Sequence, residues 1–101
     1  MKTCFISKIE WVSAENGGRK RIPPAGTRYC PIISLDDDEE AVIKWSIDFI
    51  CPDFTKTNMI EFSFLADDAP IEKIVLNEKY YLYEGNKIIA MVYIDGIKRM
   101  L

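Results

Sequence analysis

Alternation of apolar and polar residues is the strongest pattern along this chain. It is clearest between residues 43 and 51, where every second side chain is apolar and most of those between are polar. The apolar set is Ile43, Trp45, Ile47, Phe49 and Cys51. A period of two in aromatic and β-branched residues is typical of a strand with one buried face. The same pattern predicts strands at residues 5–11 and 58–65.

A hairpin is predicted at residues 79–94. The segments KYYLYE and KIIAMVYI flank Gly85 and Asn86, a dipeptide that favours a tight turn. A further strand is predicted at residues 28–35, with the sequence RYCPIISL. Because Pro31 has no N–H to donate to a neighbouring strand, we expect this strand to lie at a sheet edge or to carry a bulge.

Helical spacing is weak throughout the chain. No segment keeps a helical period over about ten residues, and only residues 36–42 and 68–74 are expected to hold a short helical turn. About six short strands joined by turns predict an all-β fold, a small six-stranded antiparallel barrel. We find no internal repeat and no linker, so residues 1–101 are expected to form a single β-barrel domain.

The composition is that of an ordinary globular domain, with 49% hydrophobic and 29% charged residues. The net charge of −3 gives no overall positive field for non-specific nucleic-acid binding, although a local basic patch is compatible with it. Histidine is absent from the sequence. It is the side chain used most often as a general acid or base near neutral pH, and it is also the commonest metal ligand. No nucleotide-binding or nucleophile motif is present. We therefore expect no enzyme activity and no metal ion, cofactor or bound nucleotide.

The cysteines Cys4, Cys30 and Cys51 are odd in number and widely spaced. This pattern fits neither a zinc site nor a secreted disulfide scaffold, and it favours reduced thiols packed as small hydrophobic groups. Lys8 and Glu10 interrupt the apolar residues near the N-terminus, so no signal peptide is expected. No apolar run approaches the ~20 residues of a membrane span. We therefore expect a cytoplasmic protein with no membrane partner.

A basic loop follows the first predicted strand. Its candidate contact residues combine two glycines with four cationic side chains: Gly17, Gly18, Arg19, Lys20, Arg21 and Arg28. One interpretation is a contact with phosphate or with an acidic partner, since arginine binds phosphate oxygens in a bidentate manner. The other interpretation is a solvated hairpin loop in which Arg19 is a structural brace.

Two other features bear on binding. Residues 36–40 are an acidic run (DDDEE) that lacks the spacing of a calcium loop, so a solvated loop is favoured over a cation site. The run can also cover the basic loop and so create a charge-split surface that favours a protein partner. Tyr80, Tyr81 and Tyr83 share one predicted strand, so at least one of them must face outward. An outward tyrosine near the basic loop would indicate stacking on RNA or a protein hot spot.

Three segments in order resemble the C-terminal β-barrel domain of translation elongation factor Tu. Residues 8–35 resemble its opening, where a strand leads into a Gly-Gly-Arg turn, a proline-containing loop and a second strand. The matching positions are Gly17, Gly18, Arg19, Gly26 and Arg28. Residues 59–79 resemble its long strand, and residues 78–94 its closing hairpin. The chain departs from the family at Lys20 and Arg21, where His and Thr are typical, and at Thr27, where the family has an aromatic residue.

The resemblance implies a non-catalytic contact surface. In the elongation factor this barrel packs on the GTPase domain, touches the acceptor–T arm of aminoacyl-tRNA and contacts the exchange factor. The GTPase domain and the middle barrel have no counterpart in this sequence, so no GTPase chemistry is implied. The predicted function is a non-catalytic binding module for a protein or a structured RNA. The alternative is a structural or regulatory homo-oligomeric β domain with no nucleic-acid role.

Overall fold

The computed structural model describes residues 2–35 and 44–100, which form seven β-strands and two short 3-10 turns. The strands are β1 (Lys2–Trp11), β2 (Arg28–Tyr29), β3 (Ile32–Ser34), β4 (Lys44–Ile50), β5 (Met59–Phe64), β6 (Lys79–Glu84) and β7 (Lys87–Met100). The 3-10 turns are Ala14–Asn16 and Ile71–Lys73. Within the described residues no α-helix is present, and none of the helical turns has the length and apolar character needed to cross a membrane.

Six of the strands close into an antiparallel barrel. The pairings run from β3 to β4, β5, β1, β7 and β6, and β6 pairs with β3 to complete the circuit. β2 is the one further strand among the described residues, and it pairs with β4 alone. The predicted all-β class and six-stranded antiparallel barrel are therefore confirmed.

The strand predicted at residues 28–35 is divided in two by Pro31. β2 and β3 pair with β4 in one continuous register, so they are two parts of a single interrupted strand. Ile47 N–H donates to the Pro31 carbonyl at 3.0 Å, but Pro31 has no N–H with which to return the bond. The ladder therefore breaks at the proline, and β2 lies at an edge as expected.

The barrel interior is filled by the inward residues of the alternating pattern. The residues with no exposed surface include Phe5, Ile33, Ile47, Phe62, Leu82, Val92 and Ile94. Burying one such side chain contributes roughly 1.5–3 kcal/mol. The predicted inward residues of β4 follow this pattern, with Ile47 and Phe49 buried and Trp45 partly buried against the core. In β4, the alternation in sequence therefore predicts correctly which side chains point into the barrel.

The predicted hairpin is present and is longer than expected. β6 and β7 flank the turn at Gly85, whose φ is 59°. β7 continues past Ile94 to Met100 because β1 begins at Lys2 and pairs with it along its whole length. The short helical turn predicted in residues 68–74 is the 3-10 turn Ile71–Lys73, whereas the turn predicted in 36–42 lies outside the described residues.

Candidate functional site

Two glycines shape the loop that follows β1. Gly17 ends the 3-10 turn in the left-handed region with φ 91°, and its N–H donates to the Ala14 carbonyl. Gly18 is buried, and a Cβ added there would lie 1.8 Å from the carbonyl oxygen of Val12. No residue with a side chain fits this position without a shift of backbone. The two glycines therefore return the chain toward the barrel and set the direction of Arg19.

Arg19 lies against Tyr29 and Glu84, which come from β2 and β6. Its guanidinium is 5.0 Å from the centre of the Tyr29 ring, and its Nη1 pairs with the Glu84 carboxylate. Tyr29 Oη donates to the same Glu84 oxygen, and Arg19 Nε donates to the Arg21 carbonyl at 2.9 Å. We call Arg19, Tyr29 and Glu84 the brace, because they join three separate segments of the chain. This geometry matches the second interpretation of the basic loop, in which Arg19 is a structural brace.

An aromatic cluster supports the brace from inside the barrel end. The ring centre of Tyr29 is 5.9 Å from that of Trp11 and 5.7 Å from that of Phe49. Phe54 packs edge-on against Trp11 at 5.5 Å. Edge-to-face and tilted pairs at these distances are the favoured aromatic geometries. These ring contacts therefore hold Tyr29 in position independently of its hydrogen bonds with Arg19 and Glu84.

The brace is charged and intact at neutral pH. Burial alone would raise the pKa of Glu84, but hydrogen bonds from Tyr29 and Arg19 outweigh burial and hold that pKa below its usual value. Burial, reinforced by the contact with Glu84, raises the pKa of Tyr29, so its hydroxyl stays protonated and can donate. The pKa of Arg19 is raised because its bonds to Glu84 and Tyr29 outweigh burial. The Glu84 carboxylate thus accepts hydrogen bonds from both Tyr29 and Arg19.

An open cleft lies on the solvent side of the brace. Its volume is about 410 Å³, and it is lined by Arg19, Lys20, Arg21, Glu84 and Lys87. Four of these side chains are cationic and one is anionic. Arg19 pairs with Glu84, whose carboxylate also interacts electrostatically with Lys87, whereas Lys20 and Arg21 form no ion pair with any residue that the structure describes. The cleft therefore presents an excess of positive charge to solvent.

Arg28 lies apart from this cleft. Neighbouring residues of a strand point to opposite faces, and Arg28 points away from the side on which Tyr29 contacts Arg19. Its guanidinium pairs with Asp48, Nη2 lying 2.9 Å from Oδ2, and Ser63 Oγ donates to the other oxygen of Asp48 at 3.1 Å. The structure thus brings together Gly17, Gly18, Arg19, Lys20 and Arg21 of the predicted contact set and leaves Arg28 out.

Three site residues were not singled out from the sequence. Tyr29 and Glu84 reach Arg19 across separations of 10 and 65 residues, which no local pattern reveals. Lys87 was accessible in principle, because the predicted hairpin places it opposite Glu84 across the Gly85 turn. Once Glu84 is known to contact the basic loop, the register of the hairpin places Lys87 at the same site.

The tyrosines of β6 divide between the two faces of the sheet. Tyr80 is buried, and its hydroxyl accepts from Val75 N–H and donates to the Lys73 carbonyl, each at 2.9 Å. Tyr81 is 38% exposed, which confirms that at least one tyrosine of this strand faces outward. Tyr83 also lies on the outer side and is partly buried.

The other candidate groups contribute less. A second cleft of about 220 Å³ is lined by residues that include Cys4, Asp48, Glu61 and Lys98. Its acids already pair with Arg28 and Lys98, and no metal-holding group of three Cys, Asp or Glu occurs within residues 2–35 and 44–100. The acidic run at residues 36–40 lies outside the described residues.

The three cysteines form no disulfide. Cys4 and Cys51 are buried, as expected for thiols packed as small hydrophobic groups, and burial raises the pKa of Cys51. The expectation is wrong for Cys30, which is exposed. Cys30 follows β2 immediately, beside the Pro31 break, and among the described residues β2 pairs with no strand other than β4.

Comparisons of the chain with protein-family models, with curated proteins and with solved structures each found no match.

Proposed function

We propose that this chain is a non-catalytic binding module that contacts structured RNA through the cleft lined by Arg19, Lys20, Arg21 and Lys87. One observation carries the proposal: a cleft with four cations and one carboxylate occurs on a chain whose net charge is −3. A negatively charged protein has no general attraction for RNA, so a concentrated positive cleft provides local attraction to phosphates.

The brace makes the cleft suited to this role. Arg19 Nε holds the Arg21 carbonyl at 2.9 Å, so the backbone that carries Lys20 and Arg21 is tied to the barrel. Side chains on a held backbone lose less conformational entropy on binding than side chains on a mobile loop. A guanidinium at Arg21 and ammonium groups at Lys20 and Lys87 are phosphate ligands of two different shapes. We infer that they contact successive phosphates of an RNA backbone.

The sequence resemblance supports the same function. In elongation factor Tu the corresponding barrel touches the acceptor–T arm of tRNA, and the resembling loop of this chain is the one that lines the cleft. Lys20 and Arg21 stand where the family has His and Thr, so this chain carries more positive charge at that place. A non-catalytic role is consistent with the lack of histidine in the sequence.

A titration with RNA tests the proposal. A fluorescently labelled stem-loop RNA is titrated with the protein, and anisotropy is recorded between about 50 and 200 mM salt. Binding should weaken steeply with salt, and the double variant Lys20→Ala/Arg21→Ala should bind several-fold more weakly with a shallower salt dependence. The matched control, Lys73→Ala/Lys98→Ala, removes two charges at the opposite end of the barrel and should bind like the native chain. Equal binding by the two double variants would contradict the proposal.

A second candidate function is self-association, favoured by apolar exposure between β5 and β6. In that connection Leu65, Val75 and Leu76 are 46%, 51% and 46% exposed. Exposed apolar side chains in one segment are typical of an interaction surface. Sedimentation at several protein concentrations tests this alternative: a mass that rises with concentration, and falls back in Val75→Ser/Leu76→Ser, would support a homo-oligomer.

A further inference from the structure

The outer surface of the hairpin carries tyrosines and lysines in alternate positions. Tyr80 and Leu82 point into the core, so Lys79, Tyr81 and Tyr83 point outward from β6. On β7, Met91 lies opposite Tyr81 and Tyr93 lies opposite Lys79. Three outward tyrosines therefore lie on two neighbouring strands. We call this surface the tyrosine face, defined by Lys44, Lys79, Tyr81, Tyr83, Met91 and Tyr93.

Lysine ammonium groups lie over two of these rings. Lys79 Nζ is 5.4 Å from the centre of Tyr81, and Lys44 Nζ is 4.7 Å from the centre of Tyr83. Both ammonium groups therefore lie within the range of a cation–π contact. Among the described residues, an exposed lysine side chain thus lies over each of these rings. A ligand that competes for a ring has to displace that lysine.

Lysines outnumber acids among the described residues of this surface. Lys8 lies opposite Tyr93 on β1, next to the pair formed by Tyr93 and Lys79. Among the described residues, Glu10 is the acid that contacts these rings, and it accepts a hydrogen bond from Tyr93 Oη at 3.2 Å. Within the part of the chain that the structure describes, the tyrosine face thus combines aromatic rings with more ammonium groups than carboxylates.

The tyrosine face and the cleft meet at the Gly85 end of the hairpin, on opposite faces of it. Tyr83 points outward, whereas the next residue, Glu84, points to the other face, where it joins the brace and lines the cleft together with Lys87 across the turn. The next outward residue of β7, Ile88, is opposite Tyr83 and is 38% exposed. A chain that leaves the cleft beside Lys87 and crosses the end of the hairpin reaches Tyr83 and then Tyr81, which lie roughly 7 Å apart along one strand.

We propose that the tyrosine face is a stacking platform for unpaired nucleotides that continue from the RNA segment held in the cleft. This inference rests on the proposed RNA-binding function and names the kind of RNA: a duplex or stem with a single-stranded extension. Bases stack on Tyr81 and Tyr83, and the displaced Lys79 and Lys44 move beside the bases, where the phosphates of an extended strand lie.

Relative magnitudes favour this ligand. Stacking of a base on an aromatic side chain contributes roughly two to three times as much as an exposed cation–π contact. Exchange of the lysine for a base is therefore favourable, and the lysine gains a phosphate in return. A purely apolar protein partner would leave Lys44, Lys79 and Lys8 without anionic partners at its border. Charge complementarity therefore favours a nucleic-acid strand.

The test compares two RNA ligands that share one stem-loop. The first is the blunt stem-loop, and the second carries a uridine-rich single-stranded extension. The extension should tighten binding to the native chain, and Tyr81→Ala should reduce that gain by about five- to 150-fold, the range for one stacked base. Binding of the blunt stem-loop should be unchanged in Tyr81→Ala. Circular dichroism and urea unfolding establish that each variant is folded.

Two conservative variants separate stacking from apolar contact. Tyr81→Phe keeps the ring and should keep the gain from the extension. Tyr81→Leu keeps an apolar side chain without a π face, and it should lose most of the gain. If Tyr81→Leu binds the extended RNA as well as the native chain does, the surface makes apolar contacts and the stacking inference is wrong.

The remaining outcomes distinguish this inference from the function on which it rests. If the extension adds no affinity while Lys20→Ala/Arg21→Ala still weakens binding of the stem-loop, the tyrosine face is not an RNA platform and the cleft function stands. If neither RNA binds at low salt, both proposals are wrong. If Tyr81→Ala weakens the blunt and extended ligands equally, the effect is not stacking of the extension, and the inference is overturned.

Discussion

Arg19 and Arg21 are two residues apart in one loop, yet they belong to different regions of the molecule. Arg19 is held in the brace by Tyr29 and by the Glu84 carboxylate. Arg21 faces the cleft, and among residues 2–35 and 44–100 no carboxylate pairs with it. We therefore expect the brace to stabilise the fold, and we propose that the cleft carries the charge available to a partner. The number of basic residues in a loop thus overstates the charge available for binding.

Arg28 makes the same point from the other face of the barrel. Its guanidinium is paired with Asp48, and Ser63 donates to that carboxylate as well. Two of the four predicted basic contacts, Arg19 and Arg28, therefore have carboxylate partners within the fold. If this division between brace and cleft is right, substitutions in the two regions should affect different measurements.

The largest expected effect on stability comes from a substitution at Gly18, in the loop that carries both Arg19 and Arg21. Gly18→Ala places a Cβ 1.8 Å from the Val12 carbonyl oxygen, so the loop must move and the brace is displaced. We expect a loss of about 3 kcal/mol in the free energy of unfolding, measured in urea. Gly17→Ala is the matched control: its Cβ meets nothing within 4 Å, and only the left-handed backbone should cost about 1 kcal/mol. An equal loss in both variants would contradict the steric argument.

Removing the brace itself should have a smaller effect on stability. Arg19→Ala leaves Glu84 and Tyr29 without their shared cation in a partly buried place. The free energy of unfolding should fall by about 1–2 kcal/mol. Arg21→Ala should change it by less than about 0.5 kcal/mol, because the Arg21 side chain forms no ion pair within the described residues and the Arg21 carbonyl that Arg19 contacts is kept in the variant. Similar losses in the two variants would remove the distinction between brace and cleft.

The pH dependence of stability tests whether the charge of Glu84 stabilises the brace. The pKa of Glu84 in the folded chain lies below the ordinary value of 4.5, so the unfolded chain takes up this proton first as the pH falls. The brace therefore stabilises the fold above about pH 4.5 and loses that contribution as the pH falls through the folded-state pKa. Unfolding of the native chain and Glu84→Gln, followed in urea from neutral to acid pH, should show a difference that shrinks on acidification.

Two results would contradict this account of Glu84. A difference between the native chain and Glu84→Gln that stays constant across the pH range would show that the carboxylate's charge is not what stabilises the brace. A difference that grows on acidification would have the wrong sign. The matched control, Glu61→Gln, removes an exposed acid that pairs with Lys98 on the far side of the barrel.

Much of the fold was accessible from the sequence, and the exceptions have physical causes. Alternation predicted β4 and β5 because their large apolar residues point to one face, although Ser63 on the other face of β5 is buried as well. The end of β7 was missed because residues after Ile94 lose the alternation, and the pairing with Lys2 and its neighbours decides their structure instead. Pro31 was expected to disturb its strand, but whether it would bulge or divide the strand depended on the partner β4.

The candidate site was accessible only in part. The basic loop is a local feature, so Lys20 and Arg21 were found. The partners that decide which cation is available, Tyr29 and Glu84, come from distant segments and depend on closure of the barrel. Charge balance within a site is a property of the tertiary fold, and no local motif reports it.

The smallest expected effect is that of Arg28 on RNA binding. Because Arg28 lies outside the cleft and is paired with Asp48, Arg28→Ala should leave the affinity for a stem-loop RNA and its salt dependence unchanged. Arg21→Ala, which also removes one guanidinium, should lower the salt slope by about 1. Anisotropy titrations of the two variants provide the comparison. A larger loss for Arg28→Ala than for Arg21→Ala would move the RNA contact to the other face.

RNA binding through the cleft is tested most directly by a map of the RNA contact on the folded chain. Backbone amide chemical shifts of the isotope-labelled protein are recorded by NMR during titration with a stem-loop RNA at low salt. We expect shifts concentrated at Lys20, Arg21 and Lys87, with Lys73 and Lys98 at the opposite end of the barrel unaffected. The absence of any shift, or shifts confined to the connection between β5 and β6, would contradict RNA binding through the cleft.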